Sequence, residues 1–186
     1  MGLTCLVDFV DKNFNMRIFY LTLHYNLLYM SQFLIYVPLE KHLSEWLTHH
    51  LGDPVAFPAY SNENAVIRAF LQKLPPGKEP ELNDGTMTAI VIPDSSAKPP
   101  ETYNYIGRKA KKAIREAIRD LFLRALWSDI SPLEKSAVGL NALIAAWCES
   151  HGIGVDRIEA VRQCYYRVRQ SYARKDINLR KSSKPR

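Results

Sequence analysis

Apolar residues recur every three or four positions from Ala110 to Leu126, through Ala113, Ile114, Ala117, Ile118, Leu121 and Ala125. A strand would repeat every two residues, so this stripe predicts one long amphipathic helix over about Arg108–Trp127. Nothing strand-like follows it. C-terminal to Gly107 the chain has to be assembled by packing helices on helices. N-terminal to it the apolar runs are short and most end at proline, which is how strands in a small layer are punctuated.

Phe33–Val37, closed by Pro38, reads as a buried strand. Leu39, Leu43, Trp46, Leu47 and Leu51 follow at helical spacing, with Gly52 as the stop. Pro54–Phe57 fits a second short strand. Ser61 is a candidate N-cap for a helix carrying Ala65, Val66, Ala69 and Phe70 on one side. Leu74-Pro75-Pro76-Gly77 breaks that helix, and Thr86–Ile92 is the most strand-like run in the chain. Beyond the long helix, Ser131-Pro132-Leu133-Glu134 has the form of a capping box. It predicts a helix with an apolar stripe through Leu133, Val138, Leu140, Leu143, Ile144 and Trp147, stopping at His151-Gly152. A last helix is expected to start with Asp156 and Glu159 as cap and N3 residue, and to carry Ile158, Val161, Tyr165, Val168 and Tyr172 inward.

The expected fold is therefore α+β: a small β-α-β-α-β layer followed by three helices, the last two helix-turn-helix-like. In domain terms, residues 1–29 form an N-terminal extension, 30–93 the α/β part, 94–106 a linker, 107–177 the basic helical module and 178–186 a flexible basic tail. The run Ile18–Val37 has the length of a membrane span, but Thr22, His24, Asn26, Ser31 and Gln32 interrupt it. Three readings of the extension stay open: a membrane anchor, an extra element packed on the body, or an over-extended reading frame with the natural start at Met30.

Charge follows the same division. Residues 1–106 carry 7 Lys/Arg against 11 Asp/Glu, and residues 107–186 carry 18 against 8. The second part is thus net +10 and the first net −4, consistent with +6 overall. A concentrated positive field attracts polyanions. In a helix-turn-helix the second helix enters the major groove, and its early exposed side chains meet base edges. Arg157 and Arg162 take that place here, with Gln163, Tyr166 and Gln170 also off the core side and Arg167, Arg169, Arg174 and Lys175 read as contacts to the phosphate backbone. Every basic residue from Arg157 to Arg174 is arginine, whose planar fork makes the paired hydrogen bonds that phosphates and guanines accept. A second cluster, Arg108, Lys109, Lys111 and Lys112, opens the long helix at the end where its dipole disfavours cations.

Other chemistry has little support. The chain lacks GxGxxG, GxxxxGK[ST], GxSxG and HExxH, so it carries no sequence signature of a nucleotide cradle, a nucleophile elbow or a helical zinc site. Cys5, Cys148 and Cys164 have no metal-ligand spacing and read as free thiols in a reducing compartment. His42 and His49 share a helix face near Glu45, but two turns apart, wider than a metal pair needs. No internal repeat stands out. No catalytic residue, metal or cofactor is expected.

The segments FLIYVPLEKHLSEWL from Phe33, KPPETYNYIGRKAKKAI from Lys98 and ALIAAWCESHGI from Ala142, with the arginine-rich helix after them, resemble small basic proteins of bacterial mobile elements and phages. That group has no defined activity, so no site residue carries over. The resemblance implies a bacterial or phage cytoplasmic setting and a DNA-related role. The expected function is non-enzymatic binding of DNA, with RNA open, by an accessory or regulatory protein. The alternative is a structural or assembly protein whose C-terminal helices form an oligomer interface.

Overall fold

The computed structural model describes residues 33–83, 85–134 and 137–174. The chain clusters into two units, Met1–Gln32 and Phe33–Arg186, and every described residue belongs to the second. The extension 1–29, and residues 18–32 of the apolar run, therefore lie outside the described residues, as does the tail 178–186. The rest of that run, Phe33–Val37, leads into and forms a strand, and no described helix is long and apolar enough to cross a membrane.

The fold is α+β. Strand β1 (Leu34–Val37) pairs antiparallel with β2 (Thr88–Val91), Leu34 opposite Val91 and Val37 opposite Thr88. Helices α1 (Lys41–Leu51) and α2 (Asn62–Phe70) lie between them in sequence. The strand expected at Pro54–Phe57 shrinks to one residue. Val55 donates to the Ala89 carbonyl and accepts from Val91 N–H, both at 2.9 Å, on the edge of β2 away from β1. Prolines at 54 and 58 have no N–H to extend that ladder, so the layer is two strands and a bridge rather than three strands.

Helix α2 keeps its expected cap: the Ser61 hydroxyl accepts from Asn64 N–H at 3.1 Å. It buries a different face from the one expected. Ala65, Ala69 and Phe70 are exposed, while Glu63, Asn64 and Ile67 are buried. Asn64 tolerates burial because its amide donates to the carbonyls of Phe57 and Pro58, at 2.9 and 2.8 Å. Lys98 closes the other end of α2. Its ammonium donates to the carbonyls of Arg68, Leu71 and Ala69 at 2.7, 3.0 and 3.2 Å. Those are helix-end carbonyls without an intrahelical partner. Gln72 and Tyr105 exchange two backbone hydrogen bonds, so the stretch between β2 and the long helix is fixed at both ends to the α2 region.

Helix α3 (Arg108–Ile130) supplies the spine. Ala110, Ile114, Ile118, Phe122, Leu126 and Ile130 are buried at a constant spacing of four. Phe122 is fully buried, and its ring meets His42, Trp46 and Trp147 edge-on at 5.4, 5.4 and 5.7 Å between centroids. One core cluster thus joins the sheet, α1 and the C-terminal helices. Such T-shaped contacts contribute about 0.5–1.5 kcal/mol each beyond burial.

The capping-box expectation fails. Ser131–Leu133 is a 3₁₀ turn continuing from α3, and the next helix, α4 (Leu140–Ser150), starts after Gly139. Leu133 and Val138, expected inside, are about half exposed. Glu134 has another use: its carboxylate accepts from the Tyr165 hydroxyl at 2.6 Å and faces Arg169 at 3.5 Å. A second 3₁₀ turn, Val155–Arg157, precedes α5 (Ile158–Arg174), displacing the start expected at Asp156.

Candidate nucleic-acid interface

Helix α4 ends in a Schellman motif. Ile153 N–H reaches back to the Cys148 carbonyl at 2.9 Å and Gly152 N–H to that of Glu149 at 3.3 Å. Gly152 sits at φ +69°, and a Cβ there would lie 2.5 Å from the His49 ring. Glycine is thus required both by the left-handed backbone and by the close approach of α1. Glu45 of α1 accepts from Gly154 N–H at 3.0 Å, which fixes the turn between α4 and α5. His151 stacks between Trp147 and His50, at 4.1 and 5.1 Å between centroids, and its Nδ1 is 2.7 Å from the Trp147 carbonyl. Asp129 accepts from Trp147 Nε1 at 2.9 Å. Among the described residues, no group of three or more His, Cys, Asp or Glu is placed to hold a metal.

Burial decides the state of the inner titratable groups. It lowers the pKa of His42; Arg119 and Arg157 push the same way, against Glu40 and Glu45. Burial pushes the Cys148 thiol up to about 11 and also raises that of Cys164. A thiol held in that range is a packing group and not a nucleophile.

The candidate binding residues fall into three sets. Arg157, Arg162 and Arg169 each have an acidic partner. Arg157 is 3.0 Å from Asp156 and Arg162 is 2.8 Å from Glu159. Arg169 lies beside Glu134, whose side chain is only 6% exposed. Gln163, Tyr166, Arg167 and Arg174 are exposed, and neither arginine has an ion pair to a described residue. Lys175 lies outside the described residues. At the start of α3, Lys111 is paired with Glu81 and Lys112 lies 3.8 Å from Glu116. Arg108 and Lys109 are exposed and have no ion pair among the described residues.

Two features escape a residue-by-residue reading of the sequence. Arg108, Lys112, Arg115 and Arg119 follow one another at intervals of 4, 3 and 4, so they share one face of α3 over about 16 Å. Arg119 acts electrostatically on Cys164 together with Arg167 of α5, and on His42 together with Arg157. The basic cluster that opens α3 is therefore the start of a longer cationic face of that helix, which ends at Arg119 beside Glu40, 3.9 Å away. The 4-3-4 spacing was the signal for it.

The second feature is a near-repeat of seven residues. Arg162-Gln-Cys-Tyr-Tyr-Arg-Val is followed directly by Arg169-Gln-Ser-Tyr-Ala-Arg-Lys. Seven residues are close to two helical turns, so Arg162 and Arg169, Gln163 and Gln170, Tyr165 and Tyr172, and Arg167 and Arg174 each share a face about 10.5 Å apart. Val161, Cys164 and Tyr165 are buried, and Trp127 stacks on Tyr165 at 5.5 Å and packs tilted against Tyr172 at 4.8 Å between centroids. The glutamine row consequently faces outward. An open depression of about 610 Å³ follows it, lined by Gln163, Tyr166, Arg167, Arg169, Gln170 and Ala173. No family model, curated protein or solved structure matches the chain.

Proposed function

We propose that the protein binds nucleic acid without catalysing a reaction, as a DNA-binding accessory or regulatory protein of the mobile-element or phage kind acting in the cytoplasm. The carrying observation is the pair of arginine-rich surfaces on two helices packed together through Trp127, Tyr165 and Tyr172: the face of α3 from Arg108 to Arg119, and the exposed Arg167 and Arg174 of α5. A phosphate backbone attracts such a concentration of cations, whichever helix supplies them. The α4–turn–α5 pair is read as helix-turn-helix-like, with Glu45 bracing its turn. Within it the exposed arginines lie in the later part of α5, and Arg157 and Arg162 are held by Asp156 and Glu159.

Assembly through the inner stripe of α5 has less support, because Val161 and Tyr165 are already fully buried within the chain's own core. The test is a salt titration of binding to labelled duplex DNA by fluorescence anisotropy. About four to six phosphate contacts give a slope of log K against log salt near −4 to −5. Absence of binding at low salt, or a slope near zero, refutes the proposal.

A further inference from the structure

We infer that the outward row of α5 reads duplex DNA in the major groove through Gln163 and Gln170, with Arg167 and Arg174 gripping the adjacent phosphates. This inference rests on the nucleic-acid reading of α5 and extends it to the form of the ligand and the division of labour among its side chains.

Across the outer face of α5 the amides lie between two arginine edges: Arg162 and Arg169 on one side, with Tyr166 and Ala173 between them and Gln163 and Gln170, and Arg167 and Arg174 directly on the other. The major groove has the complementary order, with anionic phosphate walls on both sides of an uncharged floor of donors and acceptors, and it is wide enough to admit one helix. Glutamine matches that floor, since its amide both donates and accepts and pairs bidentately with adenine. The edges are unequal. Arg162 and Arg169 are engaged with Glu159 and Glu134, while Arg167 and Arg174 have no ion pair to a described residue. The grip on phosphate is therefore assigned to the Arg167 edge.

The spacing agrees. Gln163 and Gln170 lie about 10.5 Å apart along the axis, or about three base-pair steps of 3.4 Å for a helix running along the groove. Both glutamines are exposed, and Ala173 stands where the first repeat has Tyr166. A second copy of the chain is the competing occupant, because a seven-residue period also suits a coiled coil. That needs an apolar seam, and the outward positions are Gln163, Tyr166, Arg167, Gln170, Ala173 and Arg174.

The experiment selects from a randomised duplex pool with the full chain and then measures affinities for the selected and the random duplex by anisotropy. The expected result is a preferred site with adenines about three base pairs apart. Gln163→Ala/Gln170→Ala lowers affinity for that site roughly tenfold or more per glutamine, toward that for random duplex. Arg167→Ala/Arg174→Ala weakens binding to every duplex and lowers the salt slope by up to about 2. An unchanged urea midpoint for both variants keeps the comparison free of folding effects. If duplex is bound with no preference, or the preference survives the glutamine changes, the inference falls while the nucleic-acid reading stands. Stronger binding to single strands has the same consequence. No binding of duplex at low salt overturns both. A dimer in light scattering that the glutamine changes dissolve assigns the row to a second copy and overturns the inference.

Discussion

Lys98→Met replaces a three-coordinate ammonium with an apolar side chain of similar length. The Lys98 Nζ lies 2.7, 3.0 and 3.2 Å from the carbonyls of Arg68, Leu71 and Ala69, and the first two of these contacts are partly buried. A hydrogen bond to a charged group contributes about 1.5–3 kcal/mol when its partner would otherwise lose water. Three bonds share one ammonium and one of them is exposed, so the low end of that range applies to each. Ordering the long side chain takes back about 2 kcal/mol. The net expectation is a destabilisation of about 2–3 kcal/mol, or about 5–10 °C in Tm for a chain of this size. Urea unfolding followed by the fluorescence of Trp46, Trp127 and Trp147 measures it. Lys73→Met is the matched control: Lys73 sits 5.6 Å over the Tyr103 ring, an exposed contact contributing less than about 1 kcal/mol. A Lys98→Met variant within about 0.5 kcal/mol of wild type, or no worse than Lys73→Met, refutes the idea that this ammonium closes α2.

Gly152→Ala places a Cβ at φ +69° and 2.5 Å from the His49 ring. The left-handed backbone alone costs about 1–2 kcal/mol, so a loss of at least that size is expected in the same unfolding assay, partly relieved by His49→Ala. His42 has a pKa below the ordinary 6.5 when folded, with burial the main cause. The unfolded chain then takes up the proton first, so stability falls as pH drops through and below about 6.5, and His42→Leu flattens that part of the pH–stability curve. Cys148, with a thiol pKa near 11, is about one part in a thousand thiolate at pH 8. An aromatic disulfide reagent is expected to label it only as fast as the protein opens, and rapid labelling without denaturant contradicts its burial.

What the sequence made legible was period. The long helix α3 and four of its six buried positions are read correctly from the apolar period, but Phe122 and Ile130, both buried, are missing from the expected stripe. The signals that misled are short-range ones whose groups bond elsewhere. Glu134 has the place of a capping-box residue, but its carboxylate meets the hydroxyl of Tyr165, 31 positions on. Asn64 reads as a surface residue until Phe57 and Pro58 present two carbonyls to it. Val55 reads as one residue of a strand, but its flanking prolines leave it the only one that bridges β2 there. The candidate site divides the same way. Arginine excess was visible in composition, whereas the pairing of Arg157 and Arg162 with local acids, and of Arg119 with Glu40, depends on rotamers and packing. The seven-residue near-repeat was present in the letters and gained meaning once Tyr165 and Tyr172 were seen to face Trp127.

The carboxylate of Glu45 on the Gly154 amide spans 109 positions of sequence. It makes α4 and α5 a poor candidate for a portable cassette. A fragment begun at Gly107 loses Glu45, removes the His49 ring packed over Gly152 and uncovers Phe122 where Trp46 had been. Deletion mapping would then record the loss of a brace as the loss of a binding surface. Point substitutions on the outer face of α5, made in the whole chain, are the perturbations that keep the two apart.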